Sequence, residues 1–256
     1  MKRLVLAECR KIFFLKFSRR YLAVLIIAGL AFGALLSLTT QMTTGRRFDE
    51  LGSLDVLSMN LLGVDLANIL LMVFAAMSVH REFSTGSIQV SLSLSPGRTR
   101  LFAAKLLTYL GLSAVVSILT VALACLASQS LLTLHGMPPL FPLDAAAMRM
   151  LAGVAAMPIF YCLLTVAAAF LLWSGAGAIT FSLGALAAQA VVGILPEGVQ
   201  SLLLPITPQA AIHNLAGMSP AGSMEAVSLA LSAAVLAAWV GIASVTASWR
   251  FRWKDV

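Results

Sequence analysis

Six apolar runs of bilayer-crossing length dominate this chain, at residues 21–42, 57–79, 101–126, 148–173, 176–195 and 226–247. A helix rises about 1.5 Å per residue and the hydrocarbon core is about 30 Å thick, so about 20 mainly apolar residues suffice to span it. No lipid-exposed backbone group can go unpaired there, which limits such runs to helices. Composition agrees: 60% of residues are hydrophobic and 11% charged, too little polar material to cover a soluble globule of 256 residues. The expected fold is an all-α polytopic membrane protein forming a single transmembrane domain over residues 1–256. The first run is too long for a secretory signal and no small-residue cleavage site follows it, so it is expected to stay in the mature protein. Cys9, Cys125 and Cys162 have neither a disulfide framework nor metal-ligand spacing.

The formal charge of +7 arises at the ends of the runs. Lys2, Arg3, Arg10, Lys11, Lys16, Arg19 and Arg20 precede the first; Arg81, Arg98, Arg100 and Lys105 follow the second; Arg250, Arg252 and Lys254 close the chain. With six spans all of these fall on one side, leaving Arg46, Arg47 and Arg149 opposite with most of the acids. Excess Lys and Arg mark the cytoplasmic side, so both termini are expected there. No aromatic-interleaved basic face is present, and nucleic acid is not an expected partner. Residues 2–18 read as an amphipathic interfacial helix, with Val5, Leu6, Cys9, Ile12, Phe13 and Phe17 on one face and Arg3, Arg10, Lys11 and Ser18 opposite. It serves either as a topology anchor on the lipid bilayer or as a mechanical element packed against a moving partner.

A polar island, VHREFSTGSIQVSLSLSPGRTRLFAAKLL, separates the second and third runs. Glu82–Phe83–Ser84–Thr85–Gly86–Ser87 is followed by a turn at Ser95–Pro96–Gly97 and then by Arg98, Arg100 and Lys105. This resembles the ABC-2 family of ABC transporter permeases, in which a Glu, three residues and Gly-Thr precede a Ser-Pro turn, an Arg and a Lys entering the third span. Ser87 stands where Thr is usual and keeps the hydroxyl.

The resemblance implies that the 80–100 segment is a cytoplasmic coupling loop inserting into a groove of a separate ATPase. Glu82, Phe83, Gly86 and Ser87 are then the coupling candidates: a carboxylate can pair with basic groups, and a glycine permits close backbone approach. It further implies a second permease subunit, identical or homologous, and export of an amphiphilic substrate such as a peptide antibiotic, a lipid-like molecule or a drug. ATP and Mg would be used by the partner ATPase, with no cofactor bound directly. Residues 196–225 are apolar yet interrupted by Pro205 and Pro208, too broken to span again. Re-entrant helices before the last span fit this stretch, as the resemblance also implies, and Pro205, Pro208 and His213 are candidates for an outer gate.

Inside the runs, Asp65 and Asn68 are the pathway candidates, because a carboxylate in hydrocarbon is costly and usually functional. Asp65 either lines the pathway or sits in a wet outer vestibule. The chain lacks a GxxxxGK[ST] phosphate loop, HExxH and GxSxG, so an ATP-driven role requires a borrowed motor and the chain is read as a transport subunit rather than an enzyme. Two other classes stay open: a secondary transporter, for which intramembrane carboxylates and an inverted repeat are expected, and a scaffold or immunity protein that does not transport.

Overall fold

The computed structural model describes residues 1–39, 52–94, 97–219, 222–223 and 226–253. Arg46, Arg47, Asp49, Glu50, the Ser95–Pro96 turn, Glu225 and Lys254 lie outside the described residues. Within them the chain is all-helical: α1 (Lys2–Phe14), α2 (Lys16–Leu38), α3 (Ser53–Ser84), α4 (Ser87–Leu94), α5 (Arg98–Leu134), α6 (Ala145–Leu172), α7 (Gly175–Val192), α8 (Glu197–Leu203), a 3-10 turn at Leu204–Ile206, α9 (Pro208–Leu215) and α10 (Leu229–Trp253). Six of these, α2, α3, α5, α6, α7 and α10, are long and apolar enough to cross a membrane.

The helices outrun the apolar runs that announce them. α3 begins at Ser53 rather than Leu57 and continues past Val79 to Ser84, while α5 continues past Leu126 to Leu134. Hydropathy marks only the part of a helix matched to hydrocarbon, whereas backbone hydrogen bonding carries a helix on until a cap stops it. The amphipathic segment also ends earlier than residue 18: Leu15 adopts an extended conformation and divides α1 from α2.

Helix α6 is the centre, with 72% of its most apolar stretch buried inside the protein against 17% for α10 and 28% for α2. It packs on α3, α5, α7 and α10. Between α2 and α3 the backbones touch: a Cβ at Gly29 or Gly63 would strike the other's carbonyl oxygen, and one at Gly33 would strike that of Asn60. The GxxxG spacing at Gly29 and Gly33 therefore forms a helix-crossing surface within the subunit. The short connection after α6 is a compact corner. Trp173 ends α6 at φ 57°, and the Ser174 hydroxyl accepts the Gly177 amide at 3.1 Å as the cap of α7.

Candidate functional site

The island is built as a helix end, a turn and a short helix. Glu82 and Phe83 belong to the last turn of α3, which stops at Thr85; Gly86 follows at φ +68°, and α4 starts at Ser87. A left-handed residue after the helix is a common stop, and glycine takes that conformation without strain. A Cβ at Gly86 would meet only Gln89 Oε1, at 3.8 Å, so within the subunit this glycine serves the turn rather than a close backbone contact. Residues 80–84 and 98–100 are helical continuations of the second and third spans, and the loop proper is shorter than the sequence boundaries propose. Ile88 of α4 is buried, whereas Ser84, Thr85, Gln89 and Val90 are exposed together around the turn.

Glu82 turns inward and joins an ionic cluster drawn from three helices. Lys105 of α5, fully buried, donates to Glu82 Oε1 at 2.5 Å and to Glu8 Oε2 of α1 at 2.6 Å. Lys11 donates to Glu8 Oε1 at 2.7 Å and to Ser91 Oγ of α4 at 3.1 Å, and pairs with Glu82 Oε2 at 3.7 Å. Two cations and two carboxylates thus neutralise one another where α1, α3 and α5 meet. Burial alone would raise the Glu8 carboxyl; the ammonium of Lys105 and then that of Lys11 outweigh it and hold the group below its usual 4.5.

The next residue, Phe83, feeds a second cluster. Its ring lies 4.4 Å from Trp173 and 5.2 Å from Phe170, and Phe170 in turn meets Phe102 at 5.0 Å and Phe251 at 5.2 Å. Edge-to-face geometry prevails around Phe170, as the ring quadrupole favours. Arg98 reinforces this side by donating to the carbonyls of Phe251 at 3.2 Å and Arg252 at 3.4 Å, a cation at the carboxyl end of α10. Two consecutive residues therefore tie the exposed turn to α1 on one side and to α6 and α10 on the other.

At the opposite end, Asp65 is half-buried and stands about 18 Å along α3 from Ser53. It lines a small pocket with Ser58, Met157, Gln209 and His213. Tyr161 Oη donates to Gln209 Oε1 at 3.3 Å, and Gln209 Nε2 lies 3.0 Å from His213 Nε2, so α3, α6 and α9 share one polar patch. Asn68 sits one turn deeper, fully buried, and neither amide atom has a hydrogen-bond partner among the described residues. Pro205 lies in the 3-10 turn and Pro208 is the first residue of α9, where its missing N–H costs nothing. Arg149 donates to the carbonyls of Asn214 at 2.7 Å and Leu215 at 3.2 Å and so caps α9. Asn214 donates to the Val227 carbonyl at 2.6 Å and to Ser232 Oγ at 2.8 Å, and Trp239 Nε1 donates to the Ile206 carbonyl at 3.0 Å.

The structure brings Glu82, Phe83, Gly86 and Ser87 together at one end and Asp65 and His213 into one pocket at the other, while Asn68, Pro205 and Pro208 do not line that pocket. Glu8 is the functional-site residue that pattern reading misses: it belongs to a strongly basic helix and looks like an ordinary polar-face residue. The available signal is Lys105, a lysine inside an apolar run that needs a carboxylate.

No curated protein and no solved structure matches the chain. Comparison with protein families matches residues 11–172, more than half of the 256 residues, to the family described as ABC-2 family transporter protein. The match runs from the last turn of α1 to the end of α6 and so contains the exposed turn, three members of the ionic cluster and the pathway candidates. Six helices of crossing length and this match identify the chain as a multi-pass membrane protein of the ABC-2 transporter family, the permease subunit that associates with ABC ATPase subunits and is not itself the ATPase.

Proposed function

We propose that this subunit couples ATP hydrolysis by its partner to export of an amphiphilic substrate, and that the exposed turn at Ser84, Thr85, Gln89 and Val90 is the surface on which the ATPase pushes. The carrying observation is the branching at Glu82 and Phe83. A force on the turn reaches α1 through Lys105 and Glu8, and reaches α6 and α10 through Phe170 and Phe251. Glu82 transmits rather than docks, since its carboxylate is engaged inside the subunit, and Gly86 sets the angle of α4. The Lys and Arg distribution supports a cytoplasmic position for this end, for both termini and for the ATPase. Six helices enclose little space by themselves, which supports a pathway shared with a second permease subunit. The α8 to α9 stretch, held by Arg149 and Trp239, is then the outer gate, re-entering the membrane from outside.

The test places a photo-crosslinking residue at position 90. The expected product is a partner that azido-ATP also labels, and Val90→Asp, which changes an exposed position, should abolish the product and export together while membrane insertion persists. A crosslinked partner that binds no ATP, or full export by Val90→Asp, overturns the assignment. Asp65 lines the pathway in this scheme: Asp65→Ala should reduce export with ATPase association intact, and wild-type export by that variant removes the residue from the pathway.

A further inference from the structure

A cavity of about 850 Å³ lies between α1, the start of α2 and the last turns of α3. It is separate from the Asp65 pocket, and it runs up to the exposed turn, where Glu82, Ser84, Thr85 and Ser87 also line it. Its walls change character along α3: Phe74 and Met77, with Phe17 and Tyr21 of α2, form an apolar section, and His80 and Arg81, with Lys11 of α1, form a polar one. From Phe74 to Arg81 the helix rises about 10 Å, the scale on which a phosphodiester is separated from the upper methylenes of an acyl chain. The apolar section is firm, because Tyr21 stacks on Phe74 at 5.4 Å and is anchored through its hydroxyl to the Leu70 carbonyl at 3.0 Å.

The polar section carries surplus positive charge. Glu8 and Glu82 are matched by Lys105 and Lys11, and Arg81 takes part in none of the ion pairs among the described residues. Lys11 directs two of its three donors to Glu8 and Ser91 and holds Glu82 Oε2 only at 3.7 Å, beyond hydrogen-bond distance. His80 Nδ1 is shielded from solvent and has no hydrogen-bond partner among the described residues. Lys16, Arg19 and Arg20 are exposed on the first turns of α2, the turns that give Phe17, Ser18 and Tyr21 to the cavity wall. A volume of this size suits a single small-molecule guest, and its position at the junction of an interfacial helix with a span is that of a lipid headgroup.

We propose that this cavity binds one anionic phospholipid, its headgroup phosphate between Lys11 and Arg81 beside His80 and one acyl chain on Phe17, Tyr21, Phe74 and Met77. The lipid then buttresses α1 on the face away from Lys105, and its occupancy sets how firmly α1 follows α3.

Native mass spectrometry of the purified full-length chain in detergent, titrated with phosphatidylglycerol or phosphatidylcholine, tests this. The expected result is one tightly held phosphatidylglycerol, preferred about fivefold or more over phosphatidylcholine. Arg81→Gln should remove about fivefold for phosphatidylglycerol and leave phosphatidylcholine unchanged, Arg81→Lys should restore most of the loss, and Met77→Trp, which fills the apolar section, should weaken both lipids. Equal affinity for the two lipids, wild-type binding by both Arg81→Gln and Met77→Trp, or full displacement of the lipid by millimolar inorganic phosphate overturns the proposal. The last outcome would leave an anion site without a chain site.

Discussion

The two ends of this subunit are joined by different chemistry. At the end carrying the termini, Arg98 on the Phe251 and Arg252 carbonyls apart, side chains mostly meet side chains: four charges in one cluster and five aromatic rings in the next. At the other end, side chains mostly meet backbone: Arg149 on the Asn214 and Leu215 carbonyls, Trp239 on that of Ile206, Asn214 on that of Val227, and the Leu140 amide on Gln129. The cause is the path of the chain. Long helices arrive intact at the first end and need only be held to one another, whereas the α8 to α9 stretch breaks the helix repeatedly and exposes carbonyls that require donors. Side-chain pairs can be exchanged for other partners as helices shift, while backbone caps hold a fixed local shape. The end proposed to receive force is thus built from re-pairable contacts and the end proposed to gate from shape-holding ones.

Lys105→Met should break this contrast most severely. It leaves Glu8 and Glu82 facing each other inside the protein, at a cost of about 3–5 kcal/mol, read as a lowered unfolding midpoint of the purified subunit. Adding Glu8→Gln and Glu82→Gln should recover most of the loss, because neutral groups no longer need the cation; failure to recover would show that Lys105 acts through packing instead. Arg149→Ala should cost less, about 1.5 kcal/mol for a charged hydrogen bond at an exposed site. Its effect should be local, with faster amide exchange confined to α9 and none in α1.

The smallest effect is that of pH. Since Glu8 is held below its usual 4.5, its contribution is complete above that value and is lost only as the pH falls through the lowered one. Wild-type stability should therefore be flat with respect to this group near neutrality and decline below about pH 4.5, with a steeper decline than in Glu8→Gln. Equal slopes for the two proteins would remove Glu8 from the cluster.

Much of this arrangement was legible in the residues. Apolar length alone marks all six spans, and the pattern from Glu82 to Lys105 marks the family. The ends of the helices were not legible, because hydropathy is silent once a helix leaves the apolar layer; hence the late start assigned to α3 and the early stop assigned to α5. Asp65 looked like an isolated intramembrane acid, and its neighbours Gln209 and His213 come from a segment more than 140 residues away that no local pattern links to it. Arg149, an outlier in the charge count, proves to be a helix cap, a role set by where α9 ends. Glu82 was expected to reach outward; the nearness of a buried lysine, which spacing of 23 residues cannot reveal, turns it inward.

The 37 residues of α5 form an unbroken rod about 55 Å long, close to twice the hydrocarbon thickness. Its first turns hold Phe102 and Lys105 and its last hold Gln129 and the buried Leu132. A rod of that length amplifies angle into displacement: a tilt of about 10° about its midpoint carries each tip about 5 Å in opposite directions. Lys105 stands near one tip, so a small rotation imposed beside it would arrive at the far end as a lever stroke, with no residue in between required to change its neighbours.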